Sequence, residues 1–430
     1  MTMDAEAFAA RAVDPGHTVL DVRPMAAYNG WRLAGEARGG HVPGARALPL
    51  SWTRYMDWVE TAESMGLMSG GPVTVYGYTP EDGEAMARKL ERLGVGEVAV
   101  FDGFTGWAAD PDRPLSRLAR YRQLVHPEWL RAVLDGSAGT PDAAGLEAAP
   151  AGRGVVCHAH YGNLDDFAKG HIPGAIPLDT NQLESPETWS RRSAAELETV
   201  LPSLGIRHDT TVVVYGRHSF PTYEMAHPGA SAGHLGAMRC AAILLWAGVE
   251  DVRVLNGGIH AWEEAGHELS TDPVAPTPVS EFGAPIPGRP ELMVDTPEAK
   301  QILASDDAVL VSVRSQAEFI GERSGYHYIE KTGRIPGAVF GNGGSDAYHM
   351  ENYRNPDHTT RAFDEVAGLW AEAGIVPGKR VAFYCGTGWR GSEAFMNAWL
   401  MGWPDVAVYD GGWYEWSSDP RNPIETGEPA

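Results

Sequence analysis

The stretch Val381-Ala-Phe-Tyr-Cys385-Gly-Thr-Gly-Trp-Arg390-Gly-Ser-Glu-Ala-Phe-Met-Asn-Ala-Trp-Leu400 decides how the chain folds and where its chemistry lies. Val381, Phe383 and Tyr384 form a short apolar run that reads as a buried strand. Cys385 ends the run, Gly386, Thr387 and Gly388 form a tight loop, and from Gly391 onward the spacing is helical. A cysteine at such a turn faces converging backbone N–H groups and the positive end of the helix dipole. Both stabilise a thiolate and lower its pKa. Arg390 adds a fixed positive charge on the same loop. A cysteine at a strand end is more often a small buried hydrophobe. Here the glycines, the arginine and the helix start favour a nucleophile that can carry a transferable group.

Working outward, the same unit recurs three times. Gly40-His-Val-Pro-Gly-Ala45, Gly170-His-Ile-Pro-Gly-Ala175 and Gly333-Arg-Ile-Pro-Gly-Ala338 are one motif in three places. A strand precedes each, at Val19–Arg23, Val155–Cys157 and Val309–Arg314. An apolar strand and a helix follow, then a turn at Asp102-Gly103, Asn256-Gly257 or Asp410-Gly411, and a tryptophan: Trp107, Trp262 or Trp413. Strands alternating with helices predict an α/β fold of three tandem domains, each a mostly parallel sheet flanked by helices. The expected boundaries are 1–120, 121–280 and 281–430. A short helix opening at Pro127 and an Ala/Gly/Pro-rich linker near 137–154 separate the first two. A Pro-rich connector (Pro273, Pro276, Pro278, Pro285, Pro287, Pro290) joins the last two and is expected to run across a neighbouring domain.

A chain of 430 residues, 43% of them hydrophobic, has material for several cores. The net charge of −23 with neutral histidines repels nucleic acid and anionic membranes, so neither is an expected partner. The opening residues carry no basic segment before an apolar core, and no run approaches the roughly 18 apolar residues of a membrane span. Three widely spaced cysteines, Cys157, Cys240 and Cys385, make no disulfide framework. A cytoplasmic location is expected.

Strand-Asp-Val-Arg, Gly-His-x-Pro-Gly-Ala, Cys-x-x-x-x-Arg between strand and helix, and Asp-Gly-Gly-x-x-x-Trp together resemble the rhodanese sulfurtransferases, over essentially the whole chain. The resemblance implies that a loop cysteine accepts sulfane sulfur as a persulfide and passes it on, with the loop amides cradling the anionic sulfur. Only the third copy holds a cysteine there. The first copy runs from Val73–Tyr76 to Gly77, and the second from Val212–Tyr215 to Gly216 and a long loop to Gly233. The first two copies are therefore expected to be inactive scaffolds. The third is expected to be catalytic, borrowing residues from the second across a cleft.

Cys157-His158-Ala-His160 invites a metal reading, but no second Cys or His group completes a tetrahedral set, and no metal or organic cofactor is expected. Cys240 lies in the apolar helical run Leu235–Trp246 and reads as core. Gly341–Arg361 is a long polar loop rich in Tyr and His, and Gly325–Ile329 is a second insertion. Each is a candidate wall for the Cys385 cleft, against packing on the linker. Tyr384, Trp389, Trp413, Tyr414 and Trp416 crowd the loop in sequence, with Tyr326 and Tyr353 nearby. Most such rings are core; several around one cleft would make a cation–π cage for a quaternary ammonium group.

Within the rhodaneses, Ala27–Trp31, Val156–Tyr161, Glu281–Pro287, Gly344–Arg354 and Tyr384–Glu393 resemble the anaerobic, polysulfide-dependent ergothioneine synthase branch. That branch moves sulfur from polysulfide to imidazole C2 of hercynine, the Nα-trimethyl betaine of histidine. The resemblance implies Cys385 as persulfide carrier, with Tyr326 and Thr387 against the imidazole. Gly386, Gly388, Trp389, Arg390 and Tyr384 are implied as substrate-binding positions. Extra cysteines of the branch are replaced here by Ser312 and Gly343. Cys385 is therefore expected to be loaded directly from its donor, with hercynine and polysulfide as small-molecule partners and a sulfur-donor protein left open. A thiosulfate or 3-mercaptopyruvate sulfurtransferase shares the Cys-Gly-Thr-Gly loop and stays open as an alternative, as does a persulfide carrier to a protein partner.

Overall fold

Parallel β-sheets carry all three copies of the repeat. The computed structural model describes residues 3–138, 152, 154–218 and 232–429. Most of the 137–154 linker and most of the loop before Gly233 lie outside the described residues. The chain divides into two compact units, Met1–Ala149 and Pro150–Ala430.

In the first unit, strands β1 (Thr18–Asp21), β2 (Arg46–Ala47), β3 (Val73–Tyr76) and β4 (Val98–Phe101) stand in the order β2-β1-β3-β4, all parallel. Just beyond β1, Arg23 is buried, paired with Asp21 at 2.6 Å and laid over the Phe104 ring at 3.6 Å. After β3 the helix Pro80–Arg92 opens from a Thr79/Asp82 capping box, with no thiol on the turn. A short strand β5 (Leu124–Val125) and the helix Pro127–Leu134, with proline in its first turn, complete this unit.

The second unit holds two sheets. In one, β6 (Gly154–His160), β7 (Ile176–Asp179), β8 (Thr211–Gly216) and β9 (Asp251–Leu255) run parallel in the order β9-β8-β6-β7. In the other, β10 (Met293–Val294), β11 (Ala308–Ser312), β12 (Val339–Phe340), β13 (Arg380–Tyr384) and β14 (Val406–Tyr409) run parallel in the order β10-β14-β13-β11-β12. The six residues of β8 and the last four of β13 are all buried, as two-sided cover of a parallel sheet requires. After β12 the chain returns past β11 to build β13 on its other side. The crevice between the carboxyl ends of β11 and β13 is thus a topological switch point, where such sheets bind ligands.

The helix Gly233–Ala247 is buried on nearly every face, Arg239 included. It packs on β6 and β8 on one side and against the Trp389–Leu400 helix on the other, which explains its lack of a polar stripe. The Pro-rich connector does run over its neighbour. Val279 N–H donates to the Pro202 carbonyl, His208 N–H to that of Phe282, and Gly288 and Arg289 N–H to those of Ala247 and Trp246.

Candidate active site

Cys385 follows β13 directly, at 1% exposure. Gly388, at φ +92°, turns the chain into the Trp389–Leu400 helix, a left-handed conformation that glycine adopts without strain. The hydrogen-bond ladder opens with Ser392 N–H on the Gly388 carbonyl, so the N–H groups of Trp389, Arg390 and Gly391 precede it. The carbonyls of Cys385 and Gly386 are drawn away by the N–H groups of Trp413 and Tyr414, at 2.8 and 2.9 Å. The Asp410-Gly411-Gly412 turn thereby orients the cysteine loop, which gives the recurring turn motif a physical purpose.

Arg390 is buried, with both terminal nitrogens hydrogen-bonded and its Nε without a partner. Its guanidinium forks onto Glu318 at 2.8 and 3.0 Å, donates to the Asp346 carbonyl at 2.8 Å, and donates to the Tyr326 hydroxyl at 2.7 Å. Glu318 also faces Arg314 at 3.3 Å. Burial opposes ionisation of Glu318, but Arg390 and then Arg314 overcome it and hold the carboxyl at about 2. The Tyr326 phenol is pushed up, first by burial and then by the neighbouring Cys385 and Glu318, against the pull of Arg390. It is a neutral phenol at pH 7 whose oxygen accepts from Arg390 and whose own proton is available to a ligand. The ring lies so close to the loop that a side chain at Gly386 would overlap it.

Around the thiol lies a cavity lined by Tyr161, Trp189, Ala232, Leu235, Tyr326, Tyr328, Ala347, Tyr348, Cys385, Thr387, Trp389 and Arg390. Six of these are aromatic and one is cationic. Tyr328 stacks on Trp189 at 4.3 Å and is hydrogen-bonded to Thr387. Tyr161 meets Trp389 edge-on at 5.8 Å.

The structure therefore brings together Cys385, Tyr326, Thr387, Trp389 and Arg390. Gly386 and Gly388 shape the loop without lining the cavity. Tyr384 packs in the core cluster with Ile335 and Tyr409, and is not among the lining residues. Three other expected cage rings also point elsewhere: Trp413 donates to the Lys331 carbonyl, Trp416 to that of Pro423, and Tyr353 to that of Gly341, while Tyr414 stands behind the lining, edge-on to Trp189 at 5.3 Å. The rings that do line the cavity come partly from β6, the Leu183–Ser193 segment and the two insertions. Sequence spacing around Cys385 could not reveal them. The Arg314-Ser315-x-x-Glu318 capping box was legible as a helix start, but its bond to Arg390 is tertiary.

The walls from the two repeats are tied by buried charge. The Trp389 indole donates to Glu184 at 2.7 Å, and Glu184 receives Arg239 at 3.0 Å. Arg239 also reaches Asp410 at 2.6 Å and the Trp189 carbonyl at 2.9 Å, with Arg191 on Asp410 at 2.7 Å. Burial pushes Glu184 up to about 7, against the pull of Arg239. Trp189 is held at φ +56°, uncommon for a bulky residue. Gly236 lets Trp389 approach the middle helix.

The two other thiols do not line the cavity. Cys157 is buried in β6 and pushed up to about 12 by that burial, and Cys240 is raised likewise inside its helix. A side chain at Gly343 would collide with the Val313 carbonyl, so the loop is closed against a second cysteine there. Among the described residues no group of three His, Cys, Asp or Glu side chains is placed to hold a metal ion. No helix there is long and apolar enough to cross a membrane.

A parallel sheet with a cysteine on its switch-point loop, at a helix N-terminus and under a buried arginine, defines an α/β sulfurtransferase. The rhodanese-like domain model matches residues 4–110, 163–265 and 295–419, and the chain belongs to that family. It is 41% identical over 418 residues to the thiosulfate sulfurtransferase YnjE of Escherichia coli (strain K12), covering 95% of this chain and 89% of the relative. The structure of the anaerobic ergothioneine biosynthesis enzyme from Chlorobium limicola with its natural substrate trimethyl histidine matches with a TM-score of 0.96 at 50% identity, covering 100% of both chains. A Tyr-to-Phe variant of EanB carrying a cysteine persulfide, in a tetrahedral intermediate state with ergothioneine, matches with a TM-score of 0.96 at 49% identity, again over 100% of both chains.

Proposed function

We propose that this sulfurtransferase forms a persulfide on Cys385 from polysulfide and transfers its outer sulfur to imidazole C2 of hercynine, giving ergothioneine. The observation that carries the reading is the wall of six aromatic rings around the thiol, whose one cation, Arg390, is clamped by Glu318. Such a wall suits a trimethylammonium group through cation–π attraction. A thiosulfate site would more naturally present free cationic donors. The likeness to enzymes solved with hercynine and ergothioneine supports the same substrate.

In this reading the amides of residues 386–390 stabilise the persulfide anion. Tyr326, supported by Arg390, donates its phenol proton in a hydrogen bond to the bound imidazole, and Thr387 orients the ring from the other side. Sulfur then joins C2, the S–S bond breaks with its electron pair returning to the Cys385 thiolate, and the C2 proton leaves through Tyr326 or water. Trp389 and Trp189 face the ammonium end. The work is placed in the cytoplasm, which suits three free cysteines.

Calorimetry on the Cys385→Ser chain tests the substrate class. Hercynine should bind at least about tenfold more tightly than histidine, which lacks the methyl groups. Equal affinity for the two would remove the basis for the assignment.

A further inference from the structure

Five of the chain's 15 histidines converge beside the cavity, from four separate segments. His218 follows β8, His234 opens the Gly233–Ala247 helix, His260 lies on the Gly258–Glu264 helix, and His349 and His358 come from the 341–361 loop. From His218, the ring centres of His234 and His358 stand at 4.7 Å and that of His349 at 5.8 Å. His260 continues the row 5.2 Å beyond His358. All five are half-buried, so the row is reachable from solvent.

The row joins the thiol loop. His349 bonds the Asp346 carboxylate at 2.8 Å, and the Asp346 carbonyl accepts from Arg390. Ala232 and Leu235 flank His234, Tyr348 adjoins His349, and all three line the Cys385 cavity. Arg354 lies against the same cluster, its side chain only 10% exposed. Its Nη1 donates to the His358 carbonyl at 2.9 Å and its Nε meets Glu393, but its buried Nη2 has no hydrogen-bond partner. The charge of Arg354 is felt by His218, His234 and His358. Glu393 pairs the charge of Arg354, and the unused Nη2 donor, among imidazoles, calls for an acceptor.

We propose that this histidine row, with Arg354, docks the polysulfide dianion that loads Cys385. The inference rests on the polysulfide reading above. An extended row suits a chain of sulfur atoms better than a compact oxyanion. Burial first, and then the neighbouring imidazoles, hold His218 down at about 4 and His358 at about 3. A neutral ring offers a single N–H donor; that of His260 goes to the His218 carbonyl at 2.9 Å, and the donor of a ring such as His358, with Arg354 Nη2, makes a softer lining than a patch of lysines. With the chain end at Cys385, the thiolate attacks the terminal sulfur and forms the new Cys385 S–S bond. The next S–S bond breaks, its electron pair leaves with the chain, and a dianion one sulfur shorter departs. Charge balances without an oxidant. The row receives the leaving charge, where hydrogen-bond donors are worth most.

The experiment follows Cys385 persulfide on the full chain by alkylation and intact mass, at increasing sodium tetrasulfide under nitrogen. The variant is His358→Asn; asparagine accepts the left-handed φ of +61° there. The half-saturating tetrasulfide concentration should rise about tenfold, as loss of charged hydrogen bonds implies, with hercynine affinity unchanged. Unchanged half-saturation would overturn the proposal. Should the variant not fold, imidazole NMR of the Cys385→Ser chain decides: tetrasulfide should shift His218 and His358, and unmoved signals would overturn it too. If the parent chain takes no sulfur from tetrasulfide at all, it is the polysulfide reading that fails.

Discussion

The hydroxyl of Tyr326 accepts a hydrogen bond from Arg390 at 2.7 Å while Arg390 is itself clamped by Glu318. The phenol is thereby fixed over the cysteine loop with its proton facing away from the arginine. Tyr326→Phe keeps the ring and its packing but removes that proton. Persulfide loading should survive, while ergothioneine formation should fall by about a hundredfold, the scale of one general-acid contribution. Rapid-quench assays that separate the two half-reactions check this; an equal loss in both would reject the assigned role.

Glu318 gives the site a defined acid limit. Its folded pKa of about 2 lies below the ordinary carboxylate value of 4.5, so its stabilising contribution is complete above about pH 4.5 and is lost as pH falls toward 2. Glu318→Gln should cost roughly 3 kcal/mol at neutral pH by leaving Arg390 and Arg314 underpaired. It should also flatten the acid side of the melting profile. Thermal unfolding from pH 7 to pH 2 measures both effects.

Gly386 is needed for contact rather than for turning. Alanine there would overlap the Tyr326 ring, and the ring cannot retreat without leaving Arg390. Gly386→Ala should destabilise the chain by about 1–3 kcal/mol, the usual cost of overpacking. Transfer to hercynine should fall more steeply than loading. A melting curve and the two half-reaction rates, taken together, show whether the damage is centred on Tyr326.

The middle repeat, which has no cysteine at the strand-end loop, supplies rings to the cavity wall. Trp189 is stacked on Tyr328 and anchored through its carbonyl to Arg239, and Trp389 is anchored through its indole to Glu184. Trp189→Ala should raise the hercynine KM by about tenfold with loading intact, the value of a desolvated cation–π contact. Glu184→Ala should act similarly through Trp389, and Glu184→Gln, which keeps an acceptor oxygen, should recover part of the loss. Steady-state kinetics on hercynine distinguish these outcomes.

Much of this was legible in the chain itself. The β13–loop–helix order around Cys385, the three-fold repeat and the missing cysteines of the first two copies are local patterns, and local patterns survive folding. The insertions at 325–329 and 341–361 were marked by length and by their aromatic residues, and both reach the cavity. The ring inventory was less legible. Tyr384 alternates to the core face of β13, and Trp413 and Trp416 are held by backbone carbonyls of their own repeat. Tyr161 and Trp189 lie about 200 residues before Cys385 in sequence, and only the packing of two helices brings them to it. The histidine row is likewise a product of four segments, none of which carries a ligand motif alone.

The central claim is best tested by incubating the chain with hercynine and polysulfide under nitrogen and following the product by mass spectrometry, with Cys385→Ala beside it. The expected result is hercynine heavier by one sulfur atom from the parent chain and none from the variant. Product from the Cys385→Ala chain, or a parent chain that ignores hercynine while turning over thiosulfate or 3-mercaptopyruvate, would contradict it.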